Sequence, residues 1–309
     1  MSQRIGFNQI VFTTSQPNQL RQFFVDLGWS KHTPEFSPEA LSYWDVPDQK
    51  EHLLVLNAPN KDCRVILIPC DDDTPPYRPL ESEIIQPGGL FDFNMRTKNA
   101  EFAVEYLTNH DWDMLVEPVP WQFGTSSVKE MLAIQNDGIV LAATERVSPP
   151  LEGMEFDRFS DIFNATQIVT NIEESCRFFA VIGFQKFVDF QGNMPGEGPR
   201  VLGLQDTSAH EAEICLTISH PENIMDGSIE LISTPNQSLS ALPERLFGRG
   251  IHRLRIPLPD LSEVTQSLVE IYGSDVILKS PKQRSILGRQ EFCCTVRTPD
   301  GARIDLYQV

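Results

Sequence analysis

Apolar positions along the chain keep two rhythms. Leu20, Phe23, Phe24 and Leu27 recur at i, i+3, i+4 and i+7 and stop at Gly28, which predicts an amphipathic helix closed by a glycine. The stretch QIVFTT from Gln9 precedes it across a polar turn, so the local order is strand, turn, helix. The same pattern returns without a gap in NATQIVTNIEESCRFFAVIGF, 155 residues on, where Phe23-Phe24 falls on Phe178-Phe179, Gly28 on Gly183 and Trp29 on Phe184. Two more segments repeat it, LFDFNMRTKNAEFAVEYLTNHDW from Leu90 and IHRLRIPLPDLSEVTQSLVEIYG from Ile251, the latter with Leu261, Val264, Leu268 and Ile271 on its helical face. The chain is built of four units, and repetition is its most informative feature.

After the helices come segments with strand composition: LSYWDV, HLLVLNA and RVILIPC in the first unit, FCCTVRT and ARIDLYQV in the last. Asp137-Gly138 and Asp300-Gly301 stand where hairpin turns would join such strands. Each unit therefore predicts β-α-β-β-β and an α+β fold. Stretches of turn composition lie at Asp71 to Gly89, Ser148 to Ser160 and Pro235 to Gly250, and the second, with Pro149-Pro150, is the natural boundary. At roughly 150 residues per domain, two domains are expected: 1–148, with units 1–82 and 83–148, and 158–309, with units 158–240 and 247–309. Consecutive units are thus expected to pair.

Forty-three acidic against 25 basic side chains leave a formal charge of -18. Such a field repels nucleic acid and anionic lipid unless a local patch reverses it, and none is visible in the sequence. The N-terminus MSQRIGFNQIVFTT lacks the basic-then-apolar pattern of a leader, and no run approaches membrane-spanning length. Cys63, Cys70, Cys176, Cys215, Cys293 and Cys294 form no C-x-x-C pair and suit buried thiols, so a cytoplasmic protein is expected. Hydrolase, nucleotide-binding and zincin motifs are absent from the sequence. His210, Glu211, Ala212, Glu213 and His220 read as loop or strand-end positions, and Trp29, Trp44, Trp112 and Trp121 as core side chains before they read as an aromatic pocket.

The strand-turn-helix openings with Phe-Phe and Leu-Gly-Trp or Ile-Gly-Phe, and the ending Pro299-Asp300-Gly301-Ala302-Arg303-Ile304-Asp305-Leu306, resemble the vicinal oxygen chelate superfamily. That superfamily includes glyoxalase I, extradiol dioxygenases and bleomycin-resistance proteins, and the resemblance spans nearly the whole chain. It implies paired βαβββ modules curled around a cleft, with a divalent cation chelated by residues of the first and last strands.

By that resemblance, the first-strand ligand positions match Gln9, Asp92, Asn164 and Arg253, and the last-strand acid matches Glu230 and Asp305, with Ala142 in the second unit and an apolar RVILIP in the first. The His, His, Glu pattern of the dioxygenases is missing. Leu254, Ile256 and Leu258 alternate toward the helices, which puts His252 on their face and Arg253 in the cleft unless the strand start slips by one residue. Asn164, Glu230, Arg253 and Asp305 are expected to converge in the second domain. There the Arg253 guanidinium is expected to replace the cation by pairing with Glu230 and Asp305, the alternatives being an open water-filled cleft with dispersed charges or a true metal site, and Gln9 and Asp92 are expected in the first domain as polar groups lining a solvated cleft. Arg255 either faces a ligand beside Arg253 or pairs with Glu291. The expected function is a small-molecule cleft with a degenerate metal site, Glu230 or Asp305 acting as general base and Asn164, Arg253, Arg255, Gln9 and Asp92 touching the ligand. If it is an enzyme, a lyase or dioxygenase is implied; the alternative is a sequestering binder of the bleomycin-resistance type. No cofactor is expected, with a divalent metal left open, and the partners reduce to a small molecule, with a homodimer left open.

Overall fold

In the computed structural model, the described residues are 6–32, 38–47, 53–151, 153–204, 213–235 and 239–309. The first unit runs β1 (Gln9–Thr14), α1 (Pro17–Asp26), β2 (Ser30–His32), α2 (Pro38–Tyr43), β3 (Leu54–Asn57) and β4 (Arg64–Pro69). The second has β5 (Asp92–Thr97), α3 (Ala100–Asn109), β6 (Asp113–Phe123), β7 (Ser126–Ile134) and β8 (Val140–Ser148). The third has β9 (Asn164–Ile168), α4 (Ile172–Ile182), β10 (Gln185–Asn193), β11 (Glu213–His220) and β12 (Ser228–Ser233). The fourth has β13 (Gly250–Leu258), α5 (Leu261–Tyr272), β14 (Ile277–Ile286), β15 (Arg289–Arg297) and β16 (Arg303–Gln308). Local signals place these elements well. Asn99, Asn171 and Asp260 cap α3, α4 and α5 by accepting backbone N–H bonds. Gly28 and Gly183 follow α1 and α4 at φ of +88° and +106°, a conformation other residues adopt at a cost. The α5 face is Leu261, Val264, Thr265 and Leu268, while Ile271 is exposed.

One segment departs from its predicted type. LSYWDV, which alternates like a strand, lies instead across the short helix α2 and its exit, with Ala40, Leu41, Tyr43 and Trp44 buried. Pro38 opens that helix at the position where its fixed φ is favourable and its missing N–H costs nothing.

The pairing of units also differs from expectation. One sheet has the order β14-β15-β16-β13-β1-β4-β3-β2 and the other β10-β11-β12-β9-β5-β8-β7-β6. Units one and four share a sheet, as do two and three. The joints are the antiparallel pairs β1 with β13 and β5 with β9. Between the sheets, α1, α3, α4 and α5 bury their apolar faces in one core, where Phe12 of β1 and Phe93 of β5 meet at 5.3 Å between ring centroids. The face of each sheet turned away from that core lines a cleft of its own.

Candidate functional site

The first cleft, on the sheet of units one and four, is packed shut. Trp44, Tyr43, Leu41 and Ala40, from α2 and its exit, fill it against Val11, Val55, Ile66, Ile68, Ile286 and Cys293. Below them lies a charged layer. Gln9 faces Arg255 across the β1–β13 joint, and Arg255 neighbours Asp305 of β16. Arg253 Nη1 donates to Asp305 Oδ1 at 3.0 Å, and Thr295 Oγ1 donates to the same oxygen at 2.7 Å. Trp44 Nε1 donates to the other oxygen at 2.8 Å, with Arg255 Nε 3.6 Å away. Arg253 Nη2 reaches Asp45 at 2.9 Å, and Arg255 is held by Glu291 and Gln9. Each charged side chain here pairs with an opposite charge of the protein.

Two expectations are corrected at this place. Asn164 and Glu230 lie in the other sheet, so Arg253 pairs with Asp305 and Asp45 and never meets Glu230. His252 does not share the face of Leu254. The register of β1 against β13 slips between Val11 and Phe12, a bulge that turns His252 to the cleft side beside Arg253. Arg253 Nε donates to His252 Nε2 at 3.0 Å, and Tyr77 contacts Nδ1. Burial, then the cations Arg253 and Arg303, push the imidazole well below its usual range, so it is a neutral acceptor. Asp305 is fully buried with both oxygens engaged, which removes it as a base for any ligand.

The second cleft, on the sheet of units two and three, opens to the surface. Its walls are apolar: Trp121, Leu132, Met194, Leu202, Leu216 and Ile232 among others. An apolar lining with a few polar groups suits a small organic molecule. Its floor is polar because Asp92, Asn94 and Arg96 alternate along β5 toward this face and Asn164 and Thr166 do so along β9. Asn94 Nδ2 donates to Asp92 Oδ1 at 2.8 Å, Asn164 Oδ1 at 3.1 Å and Thr166 Oγ1 at 3.1 Å. Asn164 in turn donates to Ser228 Oγ at 2.8 Å, and Thr166 to Glu230 Oε2 at 3.2 Å. Trp121 Nε1 donates to Glu130 Oε2 at 3.0 Å. Asp92, Asn164 and Glu230, three of the residues singled out in the sequence, therefore meet here, while Gln9, Arg253, Arg255 and Asp305 meet in the first cleft.

Three carboxyls share the second cleft and are held toward their neutral form. Burial pushes Glu230 up to about 8, with Glu130 and Asp92 adding repulsion. Burial likewise lifts Asp92 to about 7, against the hydrogen bonds from Thr166 and Asn94, and Glu130 to about 7, against the Trp121 bond. A raised folded pKa means that the folded chain holds protons the unfolded chain has released, so stability falls as pH rises through the folded values. The thermal midpoint should accordingly drop between about pH 5 and pH 9, and Glu230→Gln should flatten that drop. A midpoint that climbs over this range in unfolding scans would contradict the assignment.

Among the described residues, neither cleft has donors suited to a divalent cation. In the first, two guanidinium groups stand among the carboxylates. In the second, the oxygens of Asp92, Asn164 and Thr166 converge on the amide nitrogen of Asn94, and among the described residues no three His, Cys, Asp or Glu side chains cluster as ligands. The side chains that define this cleft beyond those predicted are Asn94, Arg96, Glu130, Arg146 and Thr166. A signal for two of them was present: Asp92, Asn94 and Arg96 put three polar groups at period two on a strand that is otherwise buried. Trp121 lines this cleft, Trp29 and Trp112 belong to the inter-sheet core, and Trp44 plugs the first cleft. His220 is buried and accepts from Gly6 N, while His210, Glu211 and Ala212 lie outside the described residues.

Two sheets of paired βαβββ units, each folded about a cleft, are a fold shared with solved glyoxalase and dioxygenase-like structures. The chain is similar to glyoxalase I from Zea mays, with a TM-score of 0.66 at 13% identity over 98% of this chain and 92% of that one. It is also similar to a putative dioxygenase from Bacillus subtilis, with a TM-score of 0.60 at 12% identity over 100% of this chain and 86% of that one. No family model and no curated protein matches the sequence. No helix among the described residues is long and apolar enough to cross a membrane.

Proposed function

We propose that the protein binds one small organic ligand in the second cleft without a metal, and that Glu230 is the group placed to exchange a proton with it. The carrying observation is the contrast between two clefts of one fold, one packed shut by Trp44 and α2, the other open, apolar-walled and polar-floored. Ring cleavage and glyoxalase chemistry of the kind the resemblance implies need a chelated cation, for which this donor set is unsuited. Glu230 is partly exposed, and the space it faces is the cleft itself. With its pKa near 8 it can give a proton at neutral pH and take one back, the property a general acid–base needs. Asp92 and Asn164 are assigned to holding the ligand at the floor.

Filling the cleft tests the reading. Leu216 points into it, so Leu216→Trp should abolish the thermal stabilisation that small-molecule hits give the wild-type protein. Hits that survive in this variant, provided it still unfolds cooperatively, place the ligand elsewhere and end the proposal. Near-stoichiometric iron, manganese, nickel or zinc in the purified protein would end the metal-free part. Proton transfer and simple sequestration separate at Glu230→Gln: binding persists in both cases, and loss of turnover marks catalysis.

A further inference from the structure

The polar groups of the second cleft are not of one kind. Asp92, Glu130 and Glu230 gather as weak acids, whereas Arg96, on the same strand face as Asp92, lies four residues, about 13 Å, further along β5. Arg96 is only 7% exposed, and it lines the cleft. Its guanidinium stacks on the Phe163 ring, with Cζ 3.8 Å from the centroid. Stacking uses the face of the guanidinium and leaves the in-plane N–H groups free. Arg96 Nη1 is buried and has no hydrogen-bond partner, and no carboxylate stands within ion-pair distance of the side chain among the described residues. The charges that bear on it are Asp226 and a second cation, Arg146, which also lines the cleft.

A buried cationic donor left unmet is costly, and buried arginines in native proteins are almost always paired. In the first cleft of this same chain they are: Arg253 and Arg255 each meet a carboxylate. The exception in the second cleft has a simple physical reading, that the missing partner arrives with the ligand.

Resting on the proposed small-molecule reading, we infer that the ligand of the second cleft is an organic acid, its carboxylate paired with Arg96 and Arg146 and its apolar body laid along Phe163 and the cleft walls toward Glu230. Two guanidinium groups on one anion allow charge-assisted bonds in the plane of the carboxylate, which a neutral amide or alcohol cannot reproduce. The far end of such a ligand meets O–H and N–H donors from the floor, so a carbonyl or hydroxyl oxygen fits there and a second full negative charge does not.

Calorimetry at neutral pH with benzoate, phenylacetate, 3-phenylpropanoate and hexanoate, each beside its primary amide, tests this. The best acid should bind the wild-type protein about ten-fold or more tightly than its amide, as expected when a charge-assisted contact is lost. Arg96→Gln should bring that ratio toward one, Arg96→Lys should keep part of it, and Arg146→Gln, at a half-buried position, should lower it without disturbing the fold. Amides that bind as tightly as their acids, or a preference that survives Arg96→Gln, overturn the inference and leave the cleft reading standing. Failure of every acid and every amide to bind overturns both.

Discussion

Replacing Asp305 with alanine should lower stability by about 3–5 kcal/mol, the cost of breaking a buried ion pair and leaving its partner charged and alone. The loss is large because Asp305 accepts three hydrogen bonds at once, from Arg253, Thr295 and Trp44, and lies within ion-pair distance of Arg255. Arg253 keeps Asp45 and Arg255 keeps Glu291, so the variant is destabilised and the charged layer is not erased. Denaturant unfolding at constant pH measures it. A change below about 1 kcal/mol would show that the network contributes no more than a surface pair does. The same principle gives the opposite sign for removing four charges together: apolar residues of similar volume at 253, 255, 291 and 305 should recover much of the loss, because Asp45 keeps Lys279 and no unpaired charge then remains.

Trp44→Ala should cost about as much, 3–5 kcal/mol for truncating a buried aromatic residue to alanine, and it should also reopen the first cleft. Trp44 is fully buried, fills the space between the sheet and α2, and donates its indole N–H to Asp305. Truncation leaves a ring-sized hole with an unsatisfied carboxylate oxygen at its base. Added indole carries both the missing ring and the missing donor. It should therefore raise the thermal midpoint of the variant and leave the wild-type protein unchanged. Equal stabilisation of both proteins would mean that indole binds elsewhere, and no stabilisation of the variant would mean that the walls collapse into the space.

Much of this molecule is legible in its sequence, and the illegible part has a physical pattern. Helix faces such as Leu20, Phe23 and Phe24, the glycines that end them and the Asp-Gly turns depend on neighbours within a few residues, so periodicity reveals them. The match between Gln9–Trp29 and Asn164–Phe184 is also local, and α1 and α4 fall on it with their first residues 155 apart. His252 needed one more fact. Its face is set by a bulge, and a bulge is fixed by the partner strand β1, some 240 residues away in the chain.

The candidate site shows the same division. Glu230, Asp92 and Asn164 could be singled out because the resemblance marks their strand positions. Glu130 could not, because it is an ordinary polar residue on an alternating strand until burial and the bond from Trp121 give it a role. Asp305 and Arg253 looked like a site and are a sealed ion pair, since whether a cleft is open depends on what α2 and Trp44 do above it.

The sequence by itself determined four βαβββ units, an α+β fold, an acidic chain without nucleotide-binding or hydrolase motifs, and the identity of most polar residues on the cleft faces. Tertiary structure alone decided which units share a sheet, and hence which of those residues meet. All four first strands carry the same local pattern, so alternation cannot say whether β1 joins β13 or β5. That choice rests on packing between residues far apart in the chain. It left one cleft filled by the protein's own tryptophan and the other open, with a buried arginine still lacking its anion.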